Sequence, residues 1–247
     1  MPDLIPLSIE EARKKTNCLV ELKVDGTRIT FKDHGLYSDR DIDRTDRFVH
    51  VMEEVRTLNW CVRGEMAIPG GNVLQVNARK NWPRAKFHIF DLYDYNGQDI
   101  YYQGPFKRRE ILEEIMAKNN FMHLRLPTRF ASVDEGWDFI LRHDLEGIVL
   151  KDPFGNEFKV KQLKEEKLRI LRHEPGKSKG AFIIVRDGVL GRVSGTSEGL
   201  VSQYHKLAGQ GADVYAEIEY PFLTEDGLPY QPRLRRLGTP ESLAMEA

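Results

Sequence analysis

The sequence predicts an α+β chain: antiparallel sheets with flanking helices, followed by a small five-stranded β-barrel. Three observations predict it. Short strand-like runs closed by Gly, Pro or Asn turns recur along the chain. A few stretches of helical spacing fall between them. A highly charged segment ending in Pro, Gly and Ser then gives way to a mostly-β remainder of roughly seventy residues, the size of a small barrel.

The elements follow in order. Residues 18–24 (CLVELKV) and 28–33 (RITFKD) read as strands around the turn Asp25-Gly26, and 48–58 (FVHVMEEVRTL) as a helix. Residues 61–68 (CVRGEMAI) and 87–95 (FHIFDLYDY) read as strands. Pro105 opens a helix of good formers, PFKRREILEEIMAKN, and residues 134–143 form a shorter one. Residues 146–152 (EGIVLKD) and 157–163 (EFKVKQL) are strands joined by Pro153-Phe154-Gly155-Asn156. The charged run 164–180, KEEKLRILRHEPGKSKG, reads as a hinge between domains 1–165 and 166–247. Beyond it come a hairpin with Asp-Gly at its turn, a helix over 198–208, the strand VYAEIEYPFL and a last basic strand.

Composition narrows the class. The chain is 40% hydrophobic and 30% charged over 247 residues, enough for one large core or two modest ones. No run is long and apolar enough for a membrane span, and MPDLIPLSIEEARKK is too charged for a secretory signal. The two cysteines, Cys18 and Cys61, sit in apolar strand-like runs, which predicts buried free thiols and a cytoplasmic location. Net charge is −1, so any nucleic-acid contact must rest on local clusters of Lys and Arg.

The chemistry starts at KVDG, Lys23 to Gly26, followed by Arg28. Alone it is ordinary hairpin chemistry. In order behind it come GEM (64–66), FHIFD (87–91), EGIVLK (146–151) and FKVK (158–161). Five strand-borne motifs in one order rarely arise by chance. Lysine is a nucleophile only when neutral, and its unperturbed pKa is about 10.4, so burial or nearby cations must favour the free amine. Lys159 and Lys161 fall on one face of their strand, as do Glu21 and Lys23 on theirs.

This set resembles the covalent nucleotidyltransferases: DNA ligases, RNA ligases and mRNA capping enzymes. Glu146 at the head of the fourth motif, SDRDIDRTDRF (38–48) and EIEYPFLTEDGLPYQPRLRRL near the end resemble minimal two-domain ATP-dependent DNA ligases. The resemblance implies an ATP-grasp-like nucleotidyltransferase domain followed by an OB-fold barrel. It implies that Lys23 takes AMP from ATP, with Lys159 and Lys161 on the α-phosphate. Asp25 and Gly26 complete the nucleophile's motif, and Glu146 holds Mg²⁺. Glu21 reads the adenine amine, Phe90 stacks on the base and Val149 floors it. Glu65 and Arg28 meet the ribose or phosphates, Arg236 the pyrophosphate, and Arg40, Lys151 and Arg233 the nucleic acid. The implied partner is nicked duplex DNA, bound by a monomer.

Some positions depart from the family pattern. Asp39 and then Arg40 follow Ser38, where an Arg is usual, and Gly238 and Glu241 replace basic groups of the last motif. The link from Lys151 to Lys159 is short, as in RNA ligases, which keeps RNA ligase as an alternative. A catalytically silent nucleic-acid-binding barrel protein is the other.

Overall fold

The structure, a computed structural model, describes residues 4–176 and 180–245. The chain forms two compact units, residues 1–161 and 162–247. The first unit begins with β1 (Ile5–Pro6), α1 (Ile9–Arg13), β2 (Leu19–Leu22), β3 (Thr27–Lys32), β4 (Gly35–Ser38) and α2 (Val49–Val55). Next come β5 (Trp60–Ala67), α3 (Val73–Asn77), β6 (Lys86–Tyr95), β7 (Gln98–Asp99) and α4 (Gly104–Lys118). It ends with β8 (Leu124–Arg125), β9 (Arg129–Phe130), α5 (Val133–His143), β10 (Gly147–Lys151) and β11 (Glu157–Lys161).

These strands make two sheets, each with its own core. One has the order β1-β11-β10-β2-β9; only the short β1 runs parallel to its neighbour. The apolar members of its strands, Val20, Ile148, Leu150, Phe158 and Val160, pack with Ala12 of α1 and Val133 and Ile140 of α5. Local chemistry sets those helices: Ser8 and Glu11 form a capping box on α1, and the Ser132 side chain caps α5. The second sheet has the order β4-β3-β5-β6-β7, with β8 parallel to β6. Ile29, Phe31, Val62, Met66, Phe87 and Ile89 face a core closed by Val51 and Val55 of α2 and Leu112 and Ile115 of α4.

The second unit comprises β12 (Lys164–Glu174), β13 (Ala181–Arg186), β14 (Val189–Ser194), α6 (Glu198–Gly209), β15 (Tyr215–Tyr220), β16 (Arg233–Gly238) and α7 (Pro240–Ala244). Its antiparallel sheet has the order β14-β13-β12-β15-β16. The β13–β14 turn is the expected Asp187-Gly188, both at positive φ as a two-residue hairpin needs. Among the described residues the hydrogen-bonded path stays open at β14 and β16.

The structure corrects the hinge. Most of the charged segment is β12, the central strand of this sheet, paired on both sides. Leu168 and Ile170 point into the core, while Lys167 and Arg169 carry charge on the opposite face. Alternating charges on a half-buried strand mimic the composition of a linker. Residues 177–179 of that segment lie outside the described residues. Cys18 and Cys61 are free but only half-buried. No helix among the described residues is long and apolar enough to cross a membrane.

Candidate functional site

Period-two alternation builds the site, because residues directly opposite on neighbouring strands share a face. Val149 lies opposite both Glu21 and Lys159, so an acid, an apolar residue and a base form one row. Gly147 lies opposite Lys161 on the same face. On the second sheet Arg28 lies opposite Glu65, and Glu65 opposite His88. A pocket opens between the two sheets, lined among others by Glu21, Lys23, Arg28, Glu65, Phe90 and Val149.

Lys23 stands where the chain leaves one sheet for the other. KVDG is therefore a crossing between sheets and not a hairpin tip: β2 pairs with β9 and β10, β3 with β4 and β5. The Lys23 backbone N–H donates to the Gly147 carbonyl at 2.8 Å, which fixes the departure point. Glycine is required at position 26, because a Cβ there would lie 2.2 Å from the Met66 carbonyl oxygen. Gly147 is equally tight, with the Val160 carbonyl oxygen 2.0 Å from any added Cβ.

The Lys23 side chain reaches back to the first sheet. Its Nζ donates to Glu146 Oε2 at 2.8 Å, and Lys161 Nζ lies 2.6 Å from Oε1 of the same carboxylate. Glu146 thus bridges the two lysines. Asp25 accepts from the Val73 N–H at 3.2 Å and so pins the start of α3 beside the site. Burial and the nearby Glu146 carboxylate push Asp25 up to about 6. Glu65 is pushed up to about 7, chiefly by burial, with Lys23 and Arg28 pulling it down and Glu146 pushing it up.

The raised Glu65 carboxyl gives a stability test. Its folded pKa lies above the unfolded value of 4.5, so its ionisation opposes folding. That penalty is absent below about 4.5, grows through about 7 and is full above it. Glu65→Gln should therefore raise the stability of the protein by on the order of 1 kcal/mol at about pH 8, with the gain fading on acidification. Denaturant titrations of both proteins across pH check this. His88, pushed down to about 4 by burial, contributes the opposite slope, but equally in both proteins.

The inner end of the pocket is an ionic network. Glu21 is 1% exposed; its Oε1 accepts from Arg109 Nη1, and its Oε2 lies 2.7 Å from Lys151 Nζ. Lys151 also donates to the Phe90 carbonyl, and Arg109 to the Pro127 carbonyl at 3.0 Å and to Glu113 at 2.9 Å. Burial opposes the Lys151 charge, yet Glu21, Asp91 and Glu157 outweigh it and raise its pKa. Two cations hold the Glu21 carboxyl group in a fixed place, each on one of its oxygens.

The sequence-predicted residues fall into three groups. Glu21, Lys23, Arg28, Glu65, Phe90 and Val149 line one pocket, with Lys159 and Lys161 on β11, Asp25 and Gly26 in the crossing from β2 to β3, and Glu146 just before β10. Lys151 requires a correction: at 3% exposure it is a pocket wall and cannot reach a nucleic-acid backbone. Arg40 is exposed on the turn after β4 and does not join the pocket; Arg233 and Arg236 belong to β16 of the second unit, where Arg236 Nε donates to Glu217 at 3.0 Å. Arg109, Arg63 and Glu157 escaped the sequence reading. Arg109 looks like one more charge on a solvated helix, and only the fold turns it inward. Arg63 sits 3.6 Å from Asp39, which also faces Arg28 at 3.4 Å, so the unexpected acid after Ser38 lies between two guanidinium groups.

The model of the ATP-dependent DNA ligase domain matches residues 4–162. No curated protein matches the chain. Among solved structures, one from a structure-function study of DNA binding with a minimal scaffold by Lig E DNA ligases is 17% identical, with a TM-score of 0.69, covering 96% of this chain and all of that one. The ligase domain of M. tuberculosis LigD is 20% identical, with a TM-score of 0.60, covering 96% and 95% of the two chains. A mycobacterial DNA ligase D complexed with ATP and MES is 19% identical, with a TM-score of 0.56 and the same coverage.

Proposed function

This chain belongs to the ATP-dependent DNA ligase domain family, and we propose that it seals 5′-phosphate/3′-hydroxyl nicks in duplex DNA through AMP carried on Lys23. The observation that carries this reading is the bridge Lys23–Glu146–Lys161 beside a pocket that ends in Glu21, Phe90 and Val149. The slot between Phe90 and Val149 suits a flat base. The fixed Glu21 carboxylate accepts from an amine, which adenine offers and a carbonyl at that place does not. Arg28 and Glu65 are set for the ribose and phosphates.

In the first step Lys23 Nζ attacks the α-phosphorus of ATP. A P–N bond forms, the P–O bond to pyrophosphate breaks and the amine loses its proton. AMP then passes to the 5′-phosphate at a nick, and the 3′-hydroxyl displaces it to close the backbone. Lys159 and Lys161 steady the phosphoryl oxygens as charge builds. Among the described residues no group of three or more His, Cys, Asp or Glu could hold a metal by itself. Mg²⁺ needs none, because one or two carboxylates and substrate phosphates suffice. Glu146, with Asp25 near enough to feel its charge, fits that role. When bound, the ion would neutralise phosphate charge.

The second unit fits an OB-type barrel. Its outer strands β14 and β16 approach within 8 Å between Cα atoms, and α6 lies between the third and fourth strands in sequence. Arg233 and Arg236 would then present the barrel's basic strand to pyrophosphate or nucleic acid.

The decisive experiment supplies labelled ATP and then nicked duplexes to the adenylated protein. A nicked DNA duplex should be sealed faster than a nicked RNA duplex of the same sequence. Joining of the RNA nick alone would instead assign the chain to RNA repair.

A further inference from the structure

The chain has nearly balanced charge, yet its cations are not evenly spread. Between Glu65 and Asp91 there is no Asp or Glu, while Arg79, Lys80, Arg84 and Lys86 all fall there. Arg79, Lys80 and Arg84 belong to the 3₁₀ helix Arg79–Arg84 and are exposed. A second 3₁₀ helix, Thr45–Arg47, lies against the first: the Arg47 guanidinium sits 4.9 Å from the centre of the Trp82 ring, and Phe48 packs on the same tryptophan. Arg44 is close enough to help burial press the Arg47 pKa down. Among the described residues no carboxylate lies within 4.0 Å of Arg44, Arg47, Arg79, Lys80 or Arg84. Asp46 is the nearby acid in sequence; Asp43 accepts from the Thr45 N–H, and Asp41 pairs with Lys32.

The patch is tied to the site. Asp25 holds the Val73 N–H, α3 runs from Val73 to Asn77, and Ala78 leads directly into Arg79. Six residues at helical rise span roughly 9 Å, less than two helical turns, so the first cation stands near the Val73 N–H that Asp25 holds. Asn81 fixes the joint, its Nδ2 donating to the Gln75 carbonyl at 3.0 Å.

We propose that Arg44, Arg47, Arg79, Lys80 and Arg84, arrayed about Trp82, form a phosphate-backbone seat that grips the duplex flanking the nick. The proposal rests on the nick-sealing reading. Unpaired guanidinium and ammonium groups at the edge of a phosphoryl-transfer site match a polyanion in sign and position. Arginine and lysine side chains that meet phosphate oxygens read backbone and not sequence. A chain of net charge −1 that holds DNA needs such a concentrated region.

The test compares wild type with the triple variant Arg79→Ala/Lys80→Ala/Arg84→Ala, using anisotropy of a fluorescein-labelled nicked duplex between about 50 and 200 mM salt. All three side chains are exposed, so the melting temperature should hold. Affinity should drop by about tenfold or more, and the slope of log K against log salt should shrink by roughly 2.7, at about 0.9 per lost phosphate contact. Unchanged affinity and slope would overturn the proposal. So would equal loss of binding to polyglutamate, which would mark the patch as a seat for acidic protein. Wild-type adduct formation with ATP, measured in parallel, separates the two ideas: its absence counts against the ligase reading, whereas its presence with an unaltered triple variant counts against this surface only.

Discussion

Lys23→Ala is expected to abolish covalent attachment of AMP while leaving the fold intact. Lys23 is the lysine whose amine can leave a strand end and face the pocket between the two sheets. Lys151 is buried in the ionic network around Glu21, and Lys161 is the more open partner of Glu146. Removing Lys23 does not orphan Glu146, since Lys161 Nζ stays 2.6 Å from its other oxygen. The large penalty for an uncompensated buried charge is thus avoided, and the melting temperature should change little. Intact mass after incubation with ATP and Mg²⁺ reads the adduct directly. An adduct on another lysine, or one that persists in Lys23→Ala, would remove the central claim.

The second large effect is expected at Lys161 and Lys159. Each alanine variant should lose on the order of a hundred- to a thousandfold in adenylation rate, the usual consequence of deleting one preorganised donor to developing negative charge. The two differ in kind. Lys161 holds Glu146 directly, so its loss leaves that carboxylate to Lys23 alone. Lys159 lies opposite Val149 in the row that begins with Glu21, and its loss acts on the phosphate. Arginine at either place restores the charge but not the geometry, and should recover part of the rate. Lysines on this strand without a chemical role would give near-normal rates in all four variants; single-turnover adenylation distinguishes the outcomes.

Much of the site was legible because its logic is local. The motifs lie on strands, and alternation alone places Lys159 with Lys161 and Glu21 with Lys23. The glycines at 26 and 147 are in the motifs because the backbone passes too close for a Cβ. The misreadings have one cause. In sequence Lys151 reads as a nucleic-acid contact and the run 164–180 as a hinge, because charge suggests solvent. In the fold, Lys151 is neutralised by Glu21, and in β12 Lys167 and Arg169 face away from the core that Leu168 and Ile170 fill.

By itself the sequence determined the order of the strands and placed Lys23, Lys159 and Lys161, the residues proposed to carry the chemistry, in their motifs, since side-chain identity and period two are set within a few residues. The tertiary structure alone decided which groups meet. Lys23 and Glu146 are 123 positions apart, and Glu21 and Arg109 are 88 apart. The first pair depends on the long-range pairing of β2 with β10, the second on where α4 packs relative to β2. That arrangement is chosen by the burial of two separate apolar cores, and no local pattern of charges records it.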